Sequence, residues 1–474
     1  MKHVERVKMD RDNEYMEIVQ PLDTVKEMEF YDSTALEERT IPREERKTLN
    51  VLSLFSGCGG MDLGFEGGFP VLRASVNEAL TPHFIERGIN MKKPEDKKQE
   101  NGFVQLRKTR FKTVFANDIL KGARDAWVNY FSRRGREAGD FFTESIVDLV
   151  KKQREGEKVF PEEVDIVTGG FPCQDFSIAG KRGGFNSRKS HTNERIDGAD
   201  ASVETRGQLY MWMKEVIEIT RPKIFIAENV KGLVNLDDVK EVIQKDFSSA
   251  GEDGYLVLEP RVLQAADYGV PQSRERVFFI GIKKTALKEQ ALAELSKKNV
   301  PDEYTPYPFP THAYTTKEDA RLKEFVPLRE LFKYLEEPSR SDDPSQKHYS
   351  KAKYMGKHCQ GQIEVKLDGV SPTIRSEHHG NIEFRRLLKE KGGVIEDELA
   401  RGLEERRLTV RECALIQTFP PDYEFVIPRE NGRKGSFIVS PSQAYKIIGN
   451  AVPPLLAYNL AKRIEEVWSR YFLD

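Results

Sequence analysis

Cysteine is scarce in this chain of 474 residues: only Cys58, Cys173, Cys359 and Cys413 occur, far apart from one another. This spacing argues against a disulfide framework, and it offers no CxxC or Cys/His set of the kind that binds zinc. No stretch approaches the roughly 18 apolar residues of a membrane span, and no apolar run follows the amino terminus. We therefore expect a cytoplasmic protein without a metal and without a membrane segment.

An excess of charge of one sign is also absent. The 75 Lys and Arg residues nearly balance the 77 Asp and Glu residues, so the formal net charge is -2. No global basic field indicates nucleic acid, although a DNA-binding protein can carry a local basic surface that acidic residues elsewhere balance. The composition is otherwise that of a globular protein, and the length predicts two or more domains.

Short apolar, β-branched segments alternate with helical patterns from residue 49 onward. This alternation predicts an α/β fold with a mostly parallel, doubly wound sheet. The predicted strands are residues 49–55, 113–118, 164–167, 223–227 and 276–282, and the predicted helices are residues 122–131, 209–219, 409–417 and 443–448.

Changes in composition divide the chain into four segments. A polar, highly charged extension comes first, and the α/β alternation follows it. The alternation then gives way to a smaller region of irregular or β character, after which helical patterns resume. Two polar inserts interrupt the α/β region, and we expect both to be surface loops. The segments are residues 1–48, 49–283, 284–405 and 406–474, and the inserts are residues 70–110 and 183–205.

One thiol and one carboxyl group follow predicted strands of the α/β region. Cys173 lies in the run GGFPCQ, where glycine and proline form a stiff loop after a strand. A nucleophile is one interpretation, and a small buried hydrophobic side chain is the other. Glu228 ends the predicted strand 223–227, and a helix cap or surface acid is the alternative there. Because parallel strands end at the same edge, both side chains could face one small pocket.

Two further runs have the residue types of a ligand site. The run FSGCGG at residues 55–60 follows the first predicted strand, and its glycines would let a ligand approach the backbone. The run departs from GxGxxG, so a nucleoside cofactor without pyrophosphate fits it at least as well as a dinucleotide does. A tight turn with a purely structural role is the alternative interpretation. Asp118 follows a later strand and could bind ribose hydroxyls. In the run QSRER at residues 272–276, the alternation of an extended chain would point Gln272, Arg274 and Arg276 to one side. Side chains aligned in this way could bind phosphates or orient a base, and a solvated strand edge is the alternative.

Together these motifs resemble those of DNA (cytosine-5)-methyltransferases of the compact bacterial restriction-modification type. The resemblance covers residues 49–474, and chance does not produce five such motifs in this order. A sixth run, RLTVRECA at residues 407–414, resembles the segment that buttresses the recognition domain in that family. The five motifs are FSGCGG (55–60), PCQ (172–174), ENV (228–230), QSRER (272–276) and GNAVPP (449–454).

The resemblance implies a Rossmann-like methyltransferase domain dependent on S-adenosylmethionine over residues 49–283, and a target-recognition domain over residues 284–405. The substrate would be a cytosine flipped out of duplex DNA. In this family Cys173 would attack cytosine C6, Glu228 would protonate N3, and Arg276 would contact the base while Arg274 supports nearby backbone. The implied cofactor-binding residues are Phe55, Ser56, Gly57, Cys58, Gly59, Gly60, Asp118, Asn450 and Val452.

The resemblance also implies DNA contacts in two regions. The segment after Cys173 would close over the DNA, and basic side chains there would bind phosphates. One position departs from the family, which often has an aspartate near the cofactor adenine where this chain has Ser145. The candidate DNA-binding residues are Gln174, Ser177, Lys181, Arg182, Gln272, Arg375, His378, His379 and Asn381.

Double-stranded DNA is thus the expected partner of a monomer in the bacterial cytosol, with a cognate restriction endonuclease acting on the same site. Three alternatives stay open. The same chemistry on tRNA is one, although the long recognition segment favours DNA. A non-catalytic DNA-binding regulator is another, which intact Cys173 and Glu228 oppose. A nicotinamide dehydrogenase is the third, and both the glycine pattern and the Pro-Cys-Gln run oppose it.

Overall fold

The first predicted strand lies at the centre of the fold. In the computed structural model it spans Leu49–Leu54 and pairs with parallel strands on both sides. Nearly every residue in it is buried, as expected for a parallel strand that is covered on both faces. The structure describes residues 47–86, 102–172, 209–235, 239–349, 351, 354–356, 362–376, 383–429 and 435–473.

The central sheet confirms the predicted α/β fold. Its eight strands, β1 to β8 in chain order, are Leu49–Leu54, Phe111–Asn117, Phe141–Phe142, Ile166–Gly169, Ile224–Val230, Tyr255–Val257, Arg261–Gln264 and Glu275–Lys283. They lie in the order β3-β2-β1-β4-β5-β8-β6, and β7 pairs alongside β8. Strands β1 to β5 are parallel, whereas β8 runs antiparallel to β5, β6 and β7. The order reverses between β1 and β4, where α/β sheets bind ligands at the carboxyl ends of the strands.

The register of the sheet aligns the carboxyl ends of four strands. Leu54 of β1 is opposite both Asn117 of β2 and Gly169 of β4, and Gly169 is opposite Ala227 of β5. The residues that follow these four positions therefore lie along one edge of the sheet. Strand β5 continues beyond the predicted end at Ala227 to Val230, because it pairs there with β8.

Polar caps start two helices that the sequence predicts. Thr409 with Glu412 and Ser440 with Gln443 form capping boxes, which satisfy free N–H groups of the first helical turn. Helices α1 to α12 of the described residues are, in chain order, Gly60–Glu66, Lys121–Phe131, Ile146–Arg154, Leu209–Thr220, Val239–Ser248, Glu289–Leu295, Leu328–Phe332, Pro344–Lys347, Glu396–Ala400, Val410–Ile416, Pro441–Asn450 and Pro454–Tyr471.

These helices cover both faces of the sheet. Val51 of β1 belongs to one hydrophobic core, which also contains Trp127 of α2 and residues of α10 to α12. Leu52 belongs to the other core, with Met213 of α4 and residues of α3 and α5. The carboxyl-terminal helix α12 packs directly on α1, where a Cβ atom at Gly64 would lie 2.4 Å from the Cβ of Ala457. None of the helices in the described ranges is long and apolar enough to cross a membrane.

The region from residue 284 to 405 contains short helices, α6 to α9, among short strands. Two parallel strands pair near residue 312, and a three-stranded sheet ends at the start of the carboxyl-terminal segment. A further antiparallel pair follows α10. The strands are His312–Ala313 with Lys323–Glu324, then Ile363–Glu364, Glu383–Arg386 and Arg406–Arg407, and finally Ile427–Pro428 with Phe437–Val439.

The prediction of a surface loop at residues 70–110 is wrong for the part that the structure describes. Pro70–Leu72 pairs antiparallel with Phe103–Gln105, and the side chains of Phe84 and Leu106 are buried in the first core. These apolar residues are spaced too irregularly among charged ones to produce a strand or helix pattern. The prediction therefore relied on the polar composition of the segment, which does not show that a few of its side chains are buried. The second predicted insert, residues 183–205, lies outside the described residues, as does the extension up to residue 46.

Candidate active site

The edge formed by the carboxyl ends of the central strands brings together residues from four separate motifs. Phe55, Asp118, Gly170 and Glu228 each follow one of the four aligned positions of β1, β2, β4 and β5. The first two belong to the candidate cofactor site, and the last two belong to the candidate cytosine site. The sheet register therefore places both candidate sites side by side.

Glu228 is a buried carboxyl group paired with an arginine. Its Oε1 atom lies 2.9 Å from Nε of Arg276, and the two side chains are 10% and 13% exposed. Arg276 also donates a hydrogen bond from Nη1 to the carbonyl of Glu275, at 2.7 Å. Burial raises the pKa of Glu228, even though the charges of Arg276 and Arg274 oppose the shift. A carboxyl group with a raised pKa can hold a proton and donate it to a bound base.

The loop that leads to Cys173 is fixed against Glu228. A Cβ atom at Gly170 would lie 2.8 Å from Oε2 of Glu228, so glycine keeps the space beside the carboxyl group open. Asn229 donates a hydrogen bond from Nδ2 to the carbonyl of Phe171, at 3.2 Å. The structure thus positions the chain up to Pro172. Five predicted site residues that follow lie outside the described residues: Cys173, Gln174, Ser177, Lys181 and Arg182.

The glycine-rich turn after β1 contains three glycines with different surroundings. Gly57 has a φ of 55°, and a Cβ atom there would meet nothing within 4 Å, so the turn is open at this point. Gly59, with a φ of 74°, faces Trp127, and a Cβ at Gly60 would lie 2.2 Å from the carbonyl oxygen of Val452. Gly57 is therefore the glycine that a ligand can approach, whereas Gly59 and Gly60 allow close packing of the turn against α2 and the 449–454 motif.

Two other residues of this turn have fixed local roles. Phe55 has a φ of 53°, an uncommon conformation for a residue with a side chain, and this conformation redirects the chain at the end of β1. The hydroxyl of Ser56 donates to the carbonyl of Ser53 at 3.0 Å and accepts from the N–H of Asn117 at 3.1 Å. These bonds hold the carboxyl ends of β1 and β2 together.

Asp118 bridges the glycine turn and the start of α2. Its Oδ2 accepts a hydrogen bond from the N–H of Gly57 at 3.0 Å, and its Oδ1 accepts one from the N–H of Leu120 at 2.8 Å. Burial raises the pKa of the carboxyl group, and these two hydrogen bonds oppose the rise. Each oxygen keeps a further lone pair, so the carboxylate can accept hydrogen bonds from a vicinal diol such as a ribose.

The side chain of Cys58 points away from the candidate cofactor site, so the structure leaves only its backbone available there. The thiol is buried, and Sγ lies 3.4 Å from the carbonyl oxygen of Ile447. Burial raises the pKa of the thiol, which keeps it protonated and unreactive. The carbonyl of Cys58 accepts a hydrogen bond from the hydroxyl of Tyr423 at 2.6 Å. Cys58 therefore anchors the turn to the carboxyl-terminal segment.

Asp62, which the sequence analysis did not identify, also holds the glycine-rich turn in place. Its carboxyl group accepts hydrogen bonds from Ser53 at 2.5 Å and from the indole of Trp127 at 2.8 Å. Burial raises the pKa of Asp62 to about 7. The available signal was an acid in the first turn of a helix, which is too common to indicate this role.

The QSRER motif does not present its three polar side chains to one open surface. Gln272 is fully buried; its Nε2 donates to Gln417 and its Oε1 accepts from the N–H of Ile374. The DNA contact predicted for Gln272 is therefore corrected to an interior one. Arg274 is also buried and donates to three carbonyl groups, whereas Arg276 reaches Glu228. Alternation does place Gln272 and Arg274 on one side, where both contact Ile374, but that side faces the protein interior rather than a ligand.

The remaining predicted residues have different surroundings. Asn450 and Arg375 are exposed, and Val452 is almost buried beside Gly60. Ser145, at the position considered for the adenine contact, caps α3 by accepting from the N–H of Val147 at 3.3 Å. Within the described ranges, no three His, Cys, Asp or Glu side chains converge in a way that could bind a metal ion. His378, His379 and Asn381 lie outside these ranges.

Comparisons with known proteins identify the family of this chain. Residues 100–466 match the family described as C-5 cytosine-specific DNA methylase. The chain belongs to this family. The predicted resemblance is confirmed, and the protein is a DNA (cytosine-5)-methyltransferase.

Several curated relatives of this methyltransferase have similar lengths. It is 32% identical to the Type II methyltransferase M.BsuRI of Bacillus subtilis over 90% of its own chain and 81% of that protein. It is also 32% identical to M.BspRI of Lysinibacillus sphaericus, over 90% of its chain and 83% of that one. M.HpaII of Haemophilus parainfluenzae is 31% identical over 66% of this chain and 75% of its own.

Proposed function

We propose that this methyltransferase transfers a methyl group from S-adenosylmethionine to C5 of one cytosine in a specific duplex sequence. The observation that carries the proposal is the buried carboxyl group of Glu228. It has a raised pKa, it is held by Arg276, and it lies beside the loop that leads to Cys173. A carboxyl group with a raised pKa, next to the loop that leads to a thiol, suits nucleophilic addition to a cytosine ring.

The chemistry explains why a thiol and a carboxyl group are needed together. C5 of cytosine is too poor a nucleophile to accept a methyl group directly. In the proposed reaction the Cys173 thiolate forms a bond to C6 while Glu228 gives a proton to N3, which leaves C5 with enamine character. After C5 takes the methyl group, a base removes the C5 proton, the Cys173–C6 bond breaks, and N3 returns its proton to Glu228.

The cofactor site fits S-adenosylmethionine, which supplies an electrophilic methyl group. The open face of Gly57 gives the ligand access to the turn, and the Asp118 carboxylate can accept from two ribose hydroxyls. Phe55, Asn450 and Val452 are the other residues proposed to border this site. No dinucleotide site is needed, since the turn departs from GxGxxG.

The position of the pair formed by Glu228 and Arg276 supports base flipping. Both side chains are almost buried, so a cytosine stacked in a duplex could not reach them, and we propose that the base leaves the helix. Basic and polar side chains would then hold the DNA through phosphate and base-edge contacts. The residues proposed for these contacts are Gln174, Ser177, Lys181, Arg182, Arg375, His378, His379 and Asn381.

We further propose that the enzyme acts as a monomer and is the modification partner of a restriction endonuclease that reads the same site. Support for the restriction partner comes from the names of the relatives, which are Type II methyltransferases. The monomeric state is a default expectation, and size-exclusion chromatography tests it. Bisulfite sequencing of host DNA with and without the gene will identify the methylated sequence. Digestion of both DNA samples with host extract will show whether a nuclease cleaves that sequence only when it is unmethylated.

A trapping experiment tests the mechanism. In the presence of S-adenosylmethionine, a duplex that contains the methylated sequence with 5-fluorocytosine at the target should form a covalent adduct with the wild-type protein. After methyl transfer, C5 carries fluorine in place of the proton that must leave, so the Cys173–C6 bond cannot break. Cys173→Ser should form no adduct and transfer no methyl group, yet still bind the duplex. Cys413→Ala, which alters another cysteine that is buried within α10, is the matched control and should form the adduct. A fully active Cys173→Ser variant would refute the nucleophile assignment.

A further inference from the structure

Three buried polar side chains form a connected cluster behind the cytosine site, which we call the glutamine clasp: Gln272, Arg274 and Gln417. The amide of Gln272 donates to Oε1 of Gln417 at 3.0 Å, and Gln417 donates from Nε2 to the carbonyl of Ile448 at 2.8 Å. Both glutamine side chains are fully buried. Buried amides of this kind are costly unless every polar atom is paired, so their geometry is tightly defined.

The clasp holds a segment of the recognition region, residues 371–376. Oε1 of Gln272 accepts from the N–H of Ile374 at 2.9 Å, and Arg274 donates to the carbonyl of Ile374 at 2.9 Å. Backbone bonds extend the contact, since Ser273 donates to the carbonyl of Ser371 at 2.8 Å. Both backbone polar groups of Ile374 are therefore held by side chains of the clasp.

The same cluster reaches the turn beside the candidate cofactor site. Arg274 donates to the carbonyls of Gly449 and Ala451, both at 2.9 Å. Gly449 itself touches the recognition segment, because a Cβ atom there would lie 2.3 Å from the backbone of Arg375. Three segments from distant parts of the chain thus meet at one point: the QSRER motif, residues 371–376 and the 449–454 motif.

We propose that Gln417 is a positioning residue for DNA recognition. Gln417 fixes the side chain of Gln272, and Gln272 in turn fixes the backbone of Ile374. The exposed Arg375 that follows is thereby held at a constant distance from the pocket of Glu228 and Arg276. The inference rests on the proposed function, because it takes Arg375 as a DNA contact. Gln417 touches neither DNA nor cytosine and acts only through this chain of hydrogen bonds.

The variant Gln417→Met tests the clasp, since methionine keeps the volume of glutamine and removes its hydrogen bonds. Gln346→Met is the matched control: Gln346 is also a buried glutamine, but it bonds to Glu336 and Thr409 instead. We expect Gln417→Met to raise the KM for the duplex about tenfold, the effect of losing one base or phosphate contact, with kcat changed less than about threefold. Gln346→Met should leave the KM for DNA within about twofold, even if both variants lower Tm by a similar amount.

A double-mutant cycle shows whether the effect runs through Arg375. Arg375→Ala should raise the KM for DNA to a similar extent, and adding Gln417→Met to it should cause little further increase. An unchanged KM in Gln417→Met would overturn the proposal, and so would fully multiplicative effects in the double variant. A wild-type protein that methylates no cytosine would instead refute the proposed function and, with it, this inference.

Discussion

The carboxyl group of Glu228 and the guanidinium of Arg276 form an ion pair across two antiparallel strands, with Oε1 and Nε 2.9 Å apart. Arg276 is opposite Val230 and Glu228 is opposite Phe278, so the two charged residues are diagonal neighbours on β5 and β8. This register fixes the direction of the carboxyl group. Burial raises the pKa of this carboxyl group against the opposing charge of Arg276, and the proposed role of proton donor requires a raised pKa.

Replacing Glu228 by glutamine should reduce kcat by a factor of about 100 or more, because the amide cannot give a proton to cytosine N3. In the proposed mechanism the protonated carboxyl group is the active form, and burial raises its pKa. Methyl transfer should therefore fall as the pH rises through that pKa, and this high-pH decline should be absent from Glu228→Gln. Single-turnover rates across a pH series will measure both effects.

Glu66→Gln is the control for that experiment. Glu66 is also a buried acid paired with an arginine, Arg136 at 2.8 Å, but it lies at the end of α1. Its substitution should leave the pH profile of methyl transfer unchanged. A Glu228→Gln variant that kept the wild-type rate and pH dependence would remove Glu228 from the mechanism.

The strands and the edge on which the site lies could be predicted from local sequence. Buried parallel strands are short apolar runs, and a polar residue after each run marks where the parallel pairing ends, as at Asp118 and Glu228, although β5 itself continues to Val230. The features of the site that local patterns did not predict depend on residues distant in the chain. The burial of Gln272 results from contacts with Gln417 and Ile374, and the inward side chain of Cys58 results from α11 packing behind the turn. No pattern near residue 272 or 58 indicates those partners.

Gly170→Ala should impair methyl transfer without unfolding the protein. The added methyl group would lie 2.8 Å from Oε2 of Glu228, closer than carbon and oxygen atoms tolerate, so the carboxyl group or the loop must move. We expect kcat to fall about tenfold or more, as misplacement of a catalytic group commonly causes. The assay is kcat together with Tm. Gly139→Ala, where a Cβ meets nothing within 4 Å, is the control and should match the wild type.

Asp118→Ala should weaken binding of S-adenosylmethionine. The substitution removes the acceptor proposed for the ribose hydroxyls, and it also frees the N–H of Gly57 that shapes the turn. We expect the Kd for S-adenosylmethionine to rise about tenfold or more, equivalent to about 1.4 kcal/mol or more, as measured by calorimetry. The Kd for duplex DNA alone should stay the same. Equal affinity of wild type and variant for S-adenosylmethionine would contradict the placement of the cofactor.

Glu337→Gln should destabilise the fold while leaving the active site intact. Glu337 accepts hydrogen bonds from Arg386 at 2.7 and 2.8 Å and from Arg406 at 3.1 Å, and Arg386 is completely buried. Removing the charge weakens one of two carboxylate contacts at each buried arginine, since Arg386 keeps Glu398 and Arg406 keeps Glu412. We expect the free energy of unfolding to fall by about 2 kcal/mol, the cost of weakening hydrogen bonds to charged groups. The measurement is urea denaturation at neutral pH.

Glu337→Gln should also change how the free energy of unfolding depends on pH. Burial alone would raise the pKa of Glu337, but hydrogen bonds from Arg386 and Arg406 outweigh it and lower the pKa to about 2. Because the folded-state pKa is depressed, the carboxylate stabilises the fold above its unfolded pKa of about 4.5, and this contribution is lost as the pH falls from about 4.5 to 2. The free energy of unfolding should thus decline less over that interval in Glu337→Gln than in the wild type. Parallel curves for the two proteins would show that this ion pair does not contribute to acid sensitivity.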